Sequence, residues 1–250
     1  MHAKVSGLAL AAALMLSLPA LADQRYAVAG NDRYQIGDSE LQTSISYAGT
    51  QDLLLRKDGA HTRLTARVQY TRSDAAGTVP AQATFVQTMN GAGELQDRTD
   101  SDPDYLTVLN QPFAVMLDKA TMGELLHLRG RVPFLFPAPM IGSSLQGHLM
   151  RGPISRVDAR PALAVDFDAA GPMMGPLPDH SGMSITGTMR MRGTAYYAVR
   201  GAALLLALHE TLSITGRLRQ HGRSSPVTIV YERSIKAAGA LPPDTEASSH

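Results

Sequence analysis

The sequence of 250 residues contains no cysteine. Disulfides, thiol nucleophiles and thiolate metal ligands are therefore excluded, and stability must come from an apolar core and hydrogen bonds. No thiol follows the apolar N-terminal run, so the lipoprotein route of anchoring is excluded as well. No cofactor-binding motif is present, and we expect no cofactor.

Neither positive nor negative charge is in clear excess. The chain carries 23 Lys and Arg against 22 Asp and Glu, and without Lys4 the basic and acidic residues balance at 22 each. A neutral chain lacks the electrostatic footprint of a nucleic-acid-binding protein or of a basic membrane-surface protein. Beyond the N-terminus no apolar run approaches the roughly twenty residues of a transmembrane helix. We therefore expect no nucleic-acid partner and no membrane-spanning helix.

The N-terminus, residues 1–22, has the pattern of a cleaved secretory signal peptide. Lys4 precedes an apolar run from Val5 to Leu18, and Ala20-Leu21-Ala22 forms a small-x-small cleavage site before Asp23. The run is short for a membrane anchor, the alternative interpretation. The sequence thus predicts a periplasmic or secreted protein with one β-rich domain over residues 23–236. The segment 237–250 has no apolar pattern and is predicted to be a disordered tail.

Alternation of apolar and polar residues dominates the rest of the chain. In "HTRLTARVQYTR", Leu64, Ala66, Val68 and Tyr70 share one face of a strand. Similar strands are separated by turn pairs such as Asp58-Gly59 and His221-Gly222. Helix signals are few, and the ambiguous "AALLLALHETL" is interpreted as a strand. The predicted fold is all-β: a single curved, mostly antiparallel sheet or half-barrel of about ten or more strands, with few short helices.

The middle of the chain, roughly residues 130–182, is rich in proline. Because proline cannot donate to a sheet ladder, this segment should hold edge strands, long loops or a cover over the sheet. We expect it to form a Pro-rich cover over one open side. Within it, residues 171–183 ("GPMMGPLPDHSGM") are interpreted as a loop whose methionines make adaptable apolar contacts.

Phenylalanine and methionine cluster around this segment. Phe113, Phe134 and Phe136 are three of the five phenylalanines and lie within 24 residues. These phenylalanines either fill the core of the sheet or line a pocket for an apolar ligand. On the second interpretation the predicted ligand-binding residues are Phe113, Phe134, Phe136, Met140, Met173 and Met174. A copper site of Met173, Met174, His180 and Met183 was weighed, but its spacing is irregular, and we predict no metal site.

Signals for catalysis are weak. GxSxG, SxxK, P-loop and GxGxxG motifs are missing, which lowers the expectation of an enzyme without excluding one. Asp166 and Asp168 share a strand face and could form an acid–base pair if that face lined a cleft. The sequence therefore favours an exported binding protein that holds an apolar or lipid-like ligand between its sheet and the Pro/Met/Phe-rich segment. The alternatives are an envelope structural or assembly protein with a protein partner, and a hydrolase that uses Asp166 and Asp168.

Overall fold

The structure is a computed structural model that describes residues 20–37, 43–89, 95–98, 119–127, 131–138, 143–176, 182–200 and 204–240. Its elements are, in chain order, β1 (Ala20–Ile36), β2 (Thr43–Asp58), β3 (His61–Asp74), β4 (Gly77–Met89), β5 (Leu95–Arg98), α1 (Lys119–His127), β6 (Arg131–Ala138), β7 (Ser143–Val157), β8 (Arg160–Pro176), β9 (Met183–Ala198), β10 (Leu205–Gln220) and β11 (Arg223–Ala240).

All the strands belong to one antiparallel sheet with the order β5-β4-β3-β2-β1-β11-β10-β9-β8-β7-β6. Consecutive strands pair within β1–β5 and within β6–β11, and the two groups join at the centre, where β1 pairs with β11. The sheet is not closed, because β5 and β6 lie at its two edges. The predicted fold class is confirmed: an all-β protein with a single sheet of more than ten strands and one short helix among the described residues.

Tight turns fix the register of the hairpins. The pair Gln220–Arg223 closes the β10–β11 hairpin around His221 and Gly222, whose φ angles are 48° and 77°. Two successive positive φ angles match the right-handed twist of the strands, and glycine adopts this conformation without a steric penalty. The β2–β3 hairpin turns just after Asp58, around Gly59. Both predicted turns are thus confirmed.

The described prolines of the central segment lie in strands of the sheet. Pro133 and Pro137 are in the edge strand β6, and Pro153 lies where the β7–β8 register shifts, between Arg151 and Ile154. Pro172 and Pro176 follow Ala170, the last described β8 residue that pairs with β7. At these positions proline therefore removes no hydrogen bond from the ladder, although it has no N–H to donate. The predicted cover is wrong for residues 131–138, 143–157 and 160–176, which are strands of the sheet itself.

Two boundaries differ from the sequence prediction. Strand β1 begins at Ala20, three residues before the predicted cleavage position, and β11 continues to Ala240, four residues into the predicted tail. Ala237 packs into the apolar core, which explains why the strand continues. The predicted leader 1–19 and the residues after 240 lie outside the described residues.

The helix α1 follows the sheet's first half and packs beside β6 and β7. Its Leu125 is fully buried, and the carbonyl oxygen of Leu126 accepts a hydrogen bond of 2.8 Å from Arg151 on β7. With nine residues it is short. Within the described ranges, no helix combines the length and the apolar character needed to cross a bilayer.

Candidate functional site on the inner face of the sheet

The sheet has one apolar face, here called the inner face, and one mainly polar outer face, which carries only a small apolar cluster of Val157, Ala162, Leu206 and Ala207 among the described residues. Alternation along each strand directs large apolar side chains inward on β1–β4 and β6–β11, where they form one connected core. The hydroxyl of Tyr26 on β1 reaches across β11 to donate a hydrogen bond of 3.3 Å to the carbonyl oxygen of Leu205 on β10. This contact across an intervening strand indicates that the sheet curves toward its inner face.

The outer face carries a ladder of cross-strand ion pairs. Arg25 pairs with Asp52 at 2.6 Å, and Arg33 pairs with Glu232 at 2.7 Å. Exposed pairs of this kind contribute little to stability, because water and salt screen them, so their main effect is to keep the outer face solvated. The contrast between the faces places any apolar site on the inner one.

A buried polar cluster interrupts the inner face at the centre of the sheet. We call Asp32, Tyr34, Tyr47, Tyr231 and Arg233 the inner polar cluster. Arg233 Nη1 donates to Asp32 Oδ1 at 2.6 Å, and the exposed fractions of the two side chains are 3% and 0%. The hydroxyl of Tyr34 donates to Asp32 Oδ2, and Arg233 Nη2 donates to the hydroxyl of Tyr47. Asp32 thus neutralises Arg233 within a shell of phenols, and Glu210, a further buried carboxyl group, lies opposite Arg233 in the β10–β11 register.

Aromatic rings enclose the guanidinium of Arg233. Its Cζ lies 5.0 Å from the ring centroid of Tyr47 and 5.4 Å from that of Tyr231, within the range of cation–π attraction. Gly30 makes room for it, because a Cβ at that position would lie 2.8 Å from Arg233 Nη1 and 3.0 Å from Tyr47 Cε2. The absent side chain at residue 30 thus permits the packing of the cluster.

Two further phenols are buried at the other end of the inner face. Burial raises the pKa of Tyr26 well above its ordinary value of 10, and the positive charge of Arg160 opposes this shift. Burial also raises the pKa of Tyr197, and the neighbouring Tyr26 adds to the effect. Both side chains are therefore neutral hydrogen-bonding groups in the folded protein, not proton-transfer catalysts at neutral pH.

Gln51 is a buried amide beside this end of the face. It lies on β2 between Tyr26 of β1 and Val68 of β3 in the register of the sheet. The residue is fully buried, and neither its Nε2 nor its Oε1 has a hydrogen-bond partner among the described residues. Buried side-chain amides are hydrogen-bonded in most proteins, so this one requires an explanation.

The structure brings two of the predicted ligand-binding residues to the inner face. Met173 is 1% exposed within the core, and Phe134 on β6 is partly buried against it. Phe134 lies opposite Gly147 and Phe136 is a position of β6 whose side chain is not described. Phe113 and Met140 lie outside the described residues.

Met174 does not share this face. It is 73% exposed on the outer side, because residues 171–176 belong to β8 and consecutive strand residues point to opposite faces. The interpretation of this stretch as a loop is therefore wrong up to Pro176, while 177–181 are outside the described residues. Met173 and Met174 cannot contact one ligand from the same side of the sheet.

The paired carboxylates also face outward. Asp168 binds Arg190, with both side chains about half exposed, and Asp166 accepts a hydrogen bond from the hydroxyl of Thr194. These contacts place the pair on the outer face and not in a cleft, so the geometry gives the hydrolase alternative no support. In the part of the chain that the structure describes, no group of three or more His, Asp or Glu residues is arranged to hold a metal ion.

An open hollow of about 670 Å³ lies against β2–β4. Its lining includes Thr50, Gln69 and Gln82, which alternation places on the outer face, and Pro80 near the strand end. The six predicted ligand-binding residues are not part of this lining. The hollow is shallow and partly polar, and it adds no support for an apolar ligand on the outer side.

Sequence reasoning did not identify the inner polar cluster or Gln51 as site residues. One signal is present in the sequence: Val227, Ile229 and Tyr231 alternate with other residues, and the same period directs Arg233 to their side of the strand. For β1, in contrast, the inward positions Gln24, Gly30 and Asp32 hide the apolar alternation. A buried polar residue therefore looks like a loop residue until its neighbours across the sheet are known.

No protein-family model matches this sequence, and no curated protein matches it. Among solved structures, the chain is similar to lipovitellin, in a structure concerned with lipid–protein interactions, at 11% identity and a TM-score of 0.42. That match covers 91% of this chain and 26% of the lipovitellin chain, so this chain spans about a quarter of it. DynF from the dynemicin biosynthesis pathway of Micromonospora chersina matches at 7% identity and a TM-score of 0.26, covering 92% and 89% of the two chains. At these scores neither likeness carries an argument about function.

Proposed function

We propose that this protein is an exported binding protein that holds an apolar or lipid-like ligand against the inner face of its sheet. The observation that carries the proposal is the combination of a continuous apolar inner face with a sheet that is not closed. Burying apolar ligand surface gains about 0.8 kcal/mol per CH₂ group, so contact with a short stretch of such a face gives useful affinity. The leader predicted over residues 1–22 supports export to the periplasm or the medium.

The side of the sheet near β6 and α1 offers contacts for the hydrocarbon part of the ligand. Met122 of α1 and Phe134 of β6 are partly buried there and pack against the core. Phe134 faces the small residues Gly147 and Ala169 across two strands. Partly buried side chains beside small ones can contact a ligand without disrupting the packed core. The ligand is thus proposed to lie within the curve of the sheet, and not under a separate Pro-rich cover as the sequence predicted.

The first test compares two adjacent residues of β6 that face opposite sides. Phe134→Ser removes an inner contact, whereas Leu135→Ser changes a side chain that is 50% exposed on the outer side. Loss of a half-buried phenylalanine contact should cost about tenfold in affinity for an apolar fluorophore, N-phenyl-1-naphthylamine, and the Leu135 variant should bind it like the wild type. Fluorescence titration measures both. Equal affinities for all three proteins would contradict an inner-face site.

Native mass spectrometry of the protein isolated from a bacterial periplasm provides an independent readout. A mass excess of several hundred daltons that disappears on denaturation would identify a retained ligand. A clean mass together with no fluorophore binding would overturn the proposed function. A clean mass in a dimer or larger species would instead favour the envelope-assembly alternative, with a protein partner in place of a lipid.

A further inference from the structure

The amide of Gln51 points into the inner face. Its strand neighbours Thr50 and Asp52 face outward, and Asp52 forms the outer ion pair with Arg25. Alternation therefore directs the Gln51 side chain inward, where the residue is 0% exposed. The amide thus lies in the same interior that the proposed function assigns to the apolar ligand.

None of the described residues forms a hydrogen bond with this amide. Val68 and Leu53 present only hydrocarbon, and Gly49 has no side chain. The hydroxyl of Tyr26, its neighbour on β1, is directed to the carbonyl oxygen of Leu205. A primary amide carries two N–H donors and a carbonyl acceptor, and Gln51 Nε2 and Oε1 remain without partners among the described residues. A buried amide in this state destabilises the protein unless something else binds it.

The electrostatics of the interior define the chemistry that would bind there. Gln51 is uncharged, and the buried charged side chains already face one another: Arg233 pairs with Asp32 at 2.6 Å and lies opposite Glu210 in the β10–β11 register. An ionised headgroup would enter an apolar environment without a counter-charge, which is costly. An uncharged carbonyl group accepts from an amide N–H at much lower cost. The site therefore fits a neutral carbonyl on a long hydrocarbon chain.

We infer that Gln51 is the polar recognition point of the inner face and that the ligand is an uncharged lipid carrying an ester or amide carbonyl. This inference rests on the proposed function and deepens it. The carbonyl oxygen of the ligand accepts a hydrogen bond from Gln51 Nε2, and the chain lies along the apolar face. The amide then selects among apolar molecules, whereas the hydrophobic surface provides most of the affinity.

The test measures how methyl dodecanoate and n-dodecane displace N-phenyl-1-naphthylamine from the wild type, Gln51→Leu and a control, Gln69→Leu. Gln69 lies on the neighbouring strand with its side chain exposed, so the control makes the same chemical change on the outer face. We expect the ratio of ester to alkane affinity to fall about fivefold in Gln51→Leu, the size of one net hydrogen bond, and to stay unchanged in the control. Because each ratio is compared between proteins, the aqueous solubilities of the two probes cancel.

The ligand-free variant gives a second readout. Removing an unpartnered amide should raise the melting temperature of Gln51→Leu above that of the wild type, and Gln51→Met replaces this variant if it does not fold. An unchanged ester-to-alkane ratio in the Gln51 variant, with fluorophore binding intact, would overturn the inference and leave the proposed function standing. Absence of fluorophore binding by the wild type would overturn both.

Discussion

Asp32 and Arg233 lie on the two central strands and form a buried ion pair in a mainly apolar face. Removing Arg233 leaves the buried carboxylate of Asp32 without a cation to compensate it. Arg233→Met should therefore lower the free energy of unfolding by about 3–5 kcal/mol. Urea denaturation at neutral pH measures this loss. Asp168→Ala, which breaks the exposed pair with Arg190, is the matched control and should cost less than about 1 kcal/mol. Similar losses in the two variants would contradict a dominant role for burial.

Tyr197 should make stability depend on alkaline pH. Burial raises its pKa in the folded protein, whereas in the unfolded chain it ionises near the ordinary value of 10. Ionisation therefore favours the unfolded state once the pH exceeds about 10, and stability falls by up to about 1.4 kcal/mol per pH unit for this group. Urea midpoints between pH 8 and 11 should decline less steeply in Tyr197→Phe than in the wild type. The control is Tyr196→Phe, which changes the outward-facing neighbour of Tyr197 and should leave the slope unchanged. Equal slopes in Tyr197→Phe and the wild type would contradict the prediction.

Residue-level prediction from the sequence succeeded where a strand pattern was regular. Leu64, Ala66, Val68 and Tyr70 were assigned to one buried face, and all four are buried. It failed at Met174, because prolines and glycines made residues 171–176 look like a loop. Two adjacent methionines are equivalent in composition, and only strand geometry separates an inner residue from an outer one.

Among the elements, the edge strand β6 shows how the sheet avoids pairing with other chains. Pro133 and Pro137 are four residues apart and occupy equivalent positions of the ladder, and an edge strand tolerates proline where the N–H would point away from the neighbouring strand. Replacing both by valine restores two donors on the free edge. We expect sedimentation velocity to detect a larger species that grows with protein concentration. Leu135→Val, which adds no donor to the same edge, should sediment like the wild type, and so should the double variant if the prolines do not protect the edge.

Sequence reasoning missed several strands, among them β1, which lies at the centre of the sheet. Its inward positions include Gln24, Gly30 and Asp32, so the period of two is hidden by polar and small residues. These residues become understandable only with β11 beside them, since Arg233 neutralises Asp32 and occupies the space above Gly30. A local sequence pattern cannot show that two residues 201 positions apart form an ion pair.

At the scale of the whole molecule, the sheet consists of two runs of hairpins joined where β1 meets β11. The all-β class and the single sheet could be predicted, because each hairpin has a local signature of alternation and turn residues. The central pairing could not, because no turn connects the two strands. The sequence predicted the proposed binding face only in outline, because the curvature of the sheet decides which apolar residues become part of the core.

The pairing of β1 with β11 at the centre of the sheet matters during synthesis, because the two strands are made at different times. Strand β1 emerges from the ribosome early and its partner β11 emerges last among the strands. Until then, β1 has a free edge and Asp32 lacks the cation that neutralises it. A chain that stops before β11 keeps both defects, which proteases and chaperones recognise as exposed backbone and unstable packing. The ion pair at the centre of the sheet therefore distinguishes complete chains from truncated ones.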